Sequence, residues 1–287
     1  MVARLVAGGH EVYVVNRSPE PVDKMVALGA KRGESLEALP KVMAPDTPIV
    51  WLMVPSDVVD EQFDRLLLVM PMGGIIIDGG NSDFRQTQKR AAKAAARHIN
   101  FIDVGTSGGV LGGRDGFSMM VGGNDEAVKL VTPLIDSLAR PYGWHHFGEA
   151  GSGHFVKMVH NAVEYGIMES YAEGYRLLHD GPIPNLDLAE VGRVWQHGSV
   201  IESLLNELTR QVLEENPSLE GIDGYVAETG EARWTLETAK QMLIPMPSIE
   251  AAFDVRLKSQ KGQINFGTKL LAAMRNKFGG HAINPEG

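Results

Sequence analysis

Apolar residues follow two different rhythms along the 287-residue chain. Up to about residue 150, short and nearly continuous apolar runs bounded by glycine alternate with helical segments. The runs are EVYVV at 11–15, IVWLMV at 49–54, GIIIDGG at 74–80, NFIDVG at 100–105 and FSMMVGG at 117–123. Strands this apolar are covered on both faces, and helices between them serve as the crossovers of a parallel sheet. The pattern predicts a doubly wound, Rossmann-type α/β domain over residues 1–151. After Gly153 the strand signal stops. Helical segments follow, broken at GPIPN, ENPSLEGIDG and IPMP, and predict an all-helical domain over 152–287.

Composition narrows the function classes. An apolar fraction of 44% with 22% charged residues is that of a globular protein, and no stretch approaches the ~18 apolar residues of a membrane span. No secretory signal opens the chain, so a cytoplasmic protein without a membrane partner is expected. A net charge of −9 repels phosphodiester backbones and argues against a nucleic-acid partner. Without cysteine there is neither a disulfide framework nor thiolate chemistry, and the nine histidines never take an HExxH spacing, so no metal site is expected. His145 and His146 adjoin on what reads as a strand, where neighbours point to opposite faces.

A nucleotide-binding sheet of this type begins with a strand, a glycine-rich turn and a helix whose N-terminus holds the pyrophosphate. Here residues 1–7 read as the second half of that helix, Gly8 and Gly9 as its stop and 11–15 as the second strand, so the sheet is expected to lack its first strand. No GxGxxG occurs; Gly151-Ser152-Gly153-His154 reads instead as the entry to a long helix. The end of the second strand carries Asn16-Arg17-Ser18 where an acidic residue would select against a 2′-phosphate. Arg17 suits a phosphate, which favours NADP over NAD, although an ordinary loop arginine before a Ser-Pro helix cap reads the same way.

The segment GSGHFVKMVHNAVEYGIMESYAEGYRLL at 151–178 places Lys157, His160, Asn161 and Glu164 at i, i+3, i+4 and i+7, on one stripe of a helix. The flanking positions are apolar or small, so the helix is expected to be buried with its polar stripe toward a cavity or ligand. Burial would bring the lysine toward its neutral, basic form and the glutamate toward its protonated one. One group then takes a proton and the other gives one. Ser107-Gly108-Gly109 after a strand offers a hydroxyl and unhindered N–H groups for a carboxylate or hydroxyl, or is a plain glycine-rich connection. Asn81, closing DGGNS, lies where ligands bind beyond strand ends. Arg233 and Arg256, in segments that read as helix, are candidates to grip an anion or are surface residues. Arg275 and His281 flank a glycine pair near the C-terminus.

VPSD, IIIDGGNS, DVGTSGG, GSGHFVKMVHNAVEY, GEARWT and FGGH occur in the order seen in 6-phosphogluconate dehydrogenases, and the chain resembles that family over essentially its whole length. The resemblance, closest to the short bacterial branch, implies oxidative decarboxylation of 6-phosphogluconate to ribulose 5-phosphate in the pentose phosphate pathway. It implies Lys157 as the base, Glu164 as the acid, and Ser107, Gly108, Gly109, His160 and Asn161 holding the sugar acid. Tyr165 and Arg256 would hold its phosphate, with Arg275 and His281 contributed across a homodimer (or within a homotetramer). Asn16, Arg17, Ser18, Val54, Pro55, Ser56 and Asn81 would contact NADP, with NAD as the alternative cofactor. Thr229 stands where long members carry a substrate-binding lysine. Family members place a strand and GxGxxG about a dozen residues ahead of this Met1, so the chain is expected to bind cofactor weakly. NADP titration followed by tryptophan fluorescence tests this, and micromolar affinity would count against it. A non-decarboxylating β-hydroxyacid dehydrogenase, and an inactive protomer acting only in assembly, are the competing readings.

Overall fold

A computed structural model describes residues 1–281. Two compact units divide at Met158/Val159. The first contains α1 (Val2–Ala7), β1 (Tyr13–Val14), α2 (Pro19–Ala27), β2 (Lys31–Arg32), α3 (Leu39–Val42), β3 (Ile49–Leu52) and α4 (Val59–Val69). It continues with β4 (Ile75–Asp78), α5 (Phe84–Ala95), β5 (Asn100–Ser107), α6 (Gly112–Asp115), β6 (Phe117–Gly122), α7 (Asp125–Leu138) and β7 (Ala139–His146). Strands β3 to β7 form one sheet in sequence order, and β1 pairs with β2 in a separate parallel sheet.

The run Ile75-Ile76-Ile77 shows why the apolar stretches are unbroken. Ile75 and Ile77 pack on one face with Ile102, Val104 and the α7 residues Val128, Val131 and Ile135. Ile76 packs on the other face with Leu52, Phe101 and the α4 residues Phe63 and Leu66. All three are fully buried, each side chain contributing about 1.5–3 kcal/mol of burial.

The expectation of an all-parallel sheet is corrected in one place: β5 and β6 run antiparallel, pairing Asp103 with Gly122 and Ser107 with Ser118. Residues 108–116 join them, too short a connection for a crossover, which takes about a dozen residues or more. Strand β2 is a polar pair, Lys31-Arg32, without an apolar run to reveal it. Strand β7 is legible only at its histidines because it is an edge strand with a proline and a glycine and mostly unburied positions.

Helix α8 (Ser152–Asp180) begins at the GSGH segment, as its glycines suggest. After it the regular elements among the described residues of the second unit are all helices: α9 (Leu188–Trp195), α10 (Leu204–Glu215), α11 (Glu231–Gln241), α12 (Pro247–Ser259) and α13 (Phe266–Gly279). Its core joins Met168, Ala172 and Tyr175 of α8 to Val212 and Leu213 of α10 and Leu270, Leu271 and Met274 of α13. Helix α8 is not wrapped all round as its composition predicts. Val163, Ile167 and Leu177 lie along one side and are 46%, 44% and 70% exposed, leaving an apolar ridge uncovered in the single chain.

Candidate active site

In the first unit, the start of α8 is set down directly on the sheet. The buried Asp103 of β5 accepts hydrogen bonds from the Gly151 and His154 N–H groups, both at 2.7 Å, and so caps the helix from another element. Burial pushes its pKa up, opposed by His154 and by these two N–H donors. Asp103→Ala would orphan both donors; at roughly 1–3 kcal/mol each, a urea melt should show about 2–6 kcal/mol lost.

Glycine makes the approach possible. A Cβ on Gly105 would lie 2.2 Å from Lys157 Cβ, and one on Gly153 would lie 2.4 Å from the Met120 carbonyl oxygen. Lys157 is thereby held against β5 two residues before Ser107, and it is only 5% exposed. Ser107 ends β5 half-buried, and Gly108 and Gly109 follow at φ +123° and +48°, a backbone that favours glycine.

A second buried carboxylate organises the end of β4. Asp78 accepts from Gly80 N–H at 3.1 Å, Ser82 Oγ at 2.8 Å and Arg90 Nη1 at 3.1 Å, which fixes the loop carrying the exposed Asn81. A Cβ on Gly80 would come 3.0 Å from the Val54 carbonyl oxygen, so Val54, Pro55 and Ser56 after β3 run beside this loop. At the end of β1, Asn16 Nδ2 donates to the Ser18 carbonyl at 3.2 Å, and Arg17 is exposed with no ion pair among the described residues. An unpaired guanidinium beside a hydroxyl, together with the loops after β3 and β4, fits the ribose-phosphate end and body of a dinucleotide.

In the second unit, a third buried carboxylate missed in the sequence holds the polar stripe. Glu231, 2% exposed at the start of α11, accepts from Asn161 Nδ2 at 2.9 Å and from Thr229 Oγ1 at 2.5 Å. His160 Nδ1 donates to Asn161 Oδ1 at 3.0 Å, and Glu164 lies 4.0 Å from the same ring nitrogen with its side chain 25% exposed.

Next along α8, the Arg256 guanidinium lies over the Tyr165 ring, 3.2 Å from its centroid. Arg256 is 2% and Arg275 is 6% exposed, and neither forms an ion pair among the described residues. Burial pulls Arg256 down to about 10 and lowers Arg275 as well, each opposed by Tyr165 and Glu164. His281 is lowered by burial, then by Arg275 and Arg256. Two buried cations that repel each other call for an anion.

The resemblance assigns Arg275 and His281 to a partner's site. In this structure α13 is bedded in its own unit, and both residues join the cluster of their own chain. Arg233, the other arginine considered, is paired with Glu228 and half exposed. The signal for Asp78 and Asp103 was present in part: an acid inside or ending an apolar strand, as in IIID and FID, must find donors when buried.

Residues 1–149 match the model of the NAD binding domain of 6-phosphogluconate dehydrogenase, and 153–266 match that of its C-terminal domain. An NAD(+)-dependent, decarboxylating 6-phosphogluconate dehydrogenase of Haloferax volcanii is 38% identical over 286 residues, covering 99% of this chain and 94% of that protein. A decarboxylating enzyme of Schizosaccharomyces pombe is 34% identical over 289 residues, and the match covers 95% of this chain but 58% of that one. Plasmodium falciparum 6-phosphogluconate dehydrogenase, solved with NADP+ and with 6-phosphogluconate, superposes with a TM-score of 0.81 at 26% identity, over 95% of this chain and 67% of that one. Salmonella typhimurium 3-hydroxyisobutyrate dehydrogenase shares the fold, with a TM-score of 0.74 at 18% identity over 94% of this chain and 93% of that one. With family models over both of its units, the chain belongs to the 6-phosphogluconate dehydrogenase family.

Proposed function

We propose that this chain oxidises and decarboxylates 6-phosphogluconate, giving ribulose 5-phosphate and CO2. The observation that carries the reading is the buried pair Arg256 and Arg275, without carboxylate partners among the described residues, beside Tyr165 on the helix that bears Glu164. A phosphorylated acid supplies the charge such a pair lacks; a small unphosphorylated hydroxyacid leaves it unmatched.

A nicotinamide dinucleotide would be held through Asn16, Arg17, Ser18, Val54, Pro55, Ser56 and Asn81 and would supply the hydride acceptor. Lys157 takes the proton from the C3 hydroxyl as the hydride on C3 leaves for that acceptor. The resulting 3-keto acid loses CO2 as the protonated Lys157 amine donates to the carbonyl oxygen. Glu164, two turns further along the same face of α8, gives its proton to C1 of the enediol as Lys157 takes back the enol hydroxyl proton, leaving the ketone. Ser107, Gly108, Gly109, His160 and Asn161 hold the sugar acid, and Tyr165, Arg256, Arg275 and His281 its phosphate. The Asn161–Glu231 bond fixes the amide, and with it the orientation of His160.

Arg17 favours NADP. Removing a charge-assisted contact worth ~1.5–3 kcal/mol, Arg17→Ala should weaken NADP binding about 10- to 150-fold and leave NAD binding little changed. The uncovered apolar ridge of α8 supports assembly as a homodimer. The deciding experiment supplies 6-phosphogluconate with NADP or NAD and measures CO2 against reduced cofactor. Equal amounts support the reading; reduced cofactor without CO2 points to a non-decarboxylating hydroxyacid dehydrogenase.

A further inference from the structure

We propose that Glu169 is a positioning residue of the Arg256–Arg275 anion pocket, its proton setting the charge that an incoming phosphate meets. The inference rests on the reading that this pocket receives the phosphate group.

Glu169 lies one turn beyond Tyr165 on α8 and is 9% exposed. Its Oε2 is buried and has no hydrogen-bond partner among the described residues, and the same holds for the Tyr165 hydroxyl. Arg256, stacked on the Tyr165 ring, also reaches the sulfur of Met168, the residue next to Glu169. Glu169 and Arg256 influence each other's charge without forming an ion pair. A carboxyl so placed is costly, and a glutamine would fill the same space at lower cost. What the carboxyl adds is a proton that can come and go.

Burial, then the neighbouring Glu173, push its pKa up to about 7, with Arg256 acting in the opposite direction. Among the described residues, the other charges around the pocket include Glu164 on α8, Glu231 on α11, Arg275 on α13 and His281 beyond it. Near neutrality Glu169 is therefore about half ionised. A phosphate dianion held by the two guanidinia repels the ionised form, so binding draws a proton onto Glu169 and its pKa rises further in the complex. Affinity is then greatest below pH 7, where the proton is already present. It falls by up to tenfold per pH unit above 7, until the pKa of the complex is reached. A phosphate monoester becomes dianionic only above about pH 6, and inorganic phosphate about one unit higher, so binding also weakens on the acid side and the effect of Glu169 is read above about pH 7.5.

Calorimetric titration of the whole chain with inorganic phosphate, from pH 6 to 8.5 in two buffers of different ionisation enthalpy, tests this. Wild type should take up protons on binding between about pH 7.5 and 8.5 and lose affinity there. Glu169→Gln should abolish the alkaline loss and bind phosphate at least tenfold more tightly than wild type at pH 8.5. His281→Asn should keep the alkaline loss, since that ring titrates below its usual range. Parallel wild-type and Glu169→Gln profiles, no proton uptake by wild type, or no phosphate binding at all would each overturn the proposal. If Glu169→Gln does not fold, proton uptake by wild type and His281→Asn decides alone. A chain that binds phosphate with this linkage but releases no CO2 defeats the proposed reaction and leaves this inference standing.

Discussion

Lys157→Met is expected to lower 6-phosphogluconate oxidation by about 10²- to 10⁴-fold, the range that a positioned acid–base group contributes. Methionine keeps the length and packing of the side chain and removes only the amine. Because the residue is 5% exposed, replacing a buried amine by a thioether of similar volume should leave the folding free energy within about 1.5 kcal/mol of wild type. Lys157→Arg sharpens the test. It keeps the positive charge, but a guanidinium cannot release its proton near neutrality and so cannot serve as the base. If Lys157 only attracted the substrate's charge, arginine would restore much of the rate; if it is the base, both variants fail equally. Binding of 6-phosphogluconate should change only a few-fold in either, so the loss should fall on kcat. Sugar-acid oxidation surviving in the methionine variant would remove the foundation of the proposed chemistry.

What the sequence made legible follows from the distance over which each signal acts. The stripe Lys157, His160, Asn161 and Glu164 is fixed by the 3.6-residue period of one helix, so it could be read without knowing what α8 touches. The buried strands β4 and β5 announce themselves by apolar runs too continuous for a half-exposed strand. Partners that meet across the fold leave no such trace. Asp103 caps a helix 48 residues away, and Asn161 finds Glu231 70 residues away. Each acid is visible in the sequence, but its donors are not. Glu169 was hidden for a different reason. Twelve residues beyond Lys157 it lies well off the polar stripe, where a glutamate normally reads as solvated, and only the packing of α8 shows it buried beside Arg256. Strand β7 was obscured because an edge strand need not be apolar. The antiparallel turn into β6 was legible in principle, since residues 108–116 are too few to cross the sheet.

Gly105→Ala is expected to reduce kcat by about 100-fold while adding a single methyl group. The new Cβ would lie 2.2 Å from Lys157 Cβ and 3.1 Å from the Gly153 carbonyl oxygen, so neither neighbour is the free end of a flexible side chain. The contact can be relieved only if α8 lifts from β5 or the strand bends. The bonds from Gly151 and His154 to Asp103 resist either movement. Overpacking of this kind costs typically about 1–3 kcal/mol in folding free energy, measurable by urea melts. The kinetic cost is larger in proportion, because a displacement near 1 Å at a catalytic group can cost about 100-fold in rate. Gly113→Ala is the control, since a Cβ there meets nothing within 4 Å. A double variant separates displacement of the lysine from general loosening. If Gly105→Ala acts by moving Lys157, combining it with Lys157→Met should lose almost no further activity, because the group being misplaced is already gone. Additive losses would mean that Gly105 serves catalysis by another route, and wild-type turnover in Gly105→Ala would mean that the close seating of α8 on β5 does not position the base.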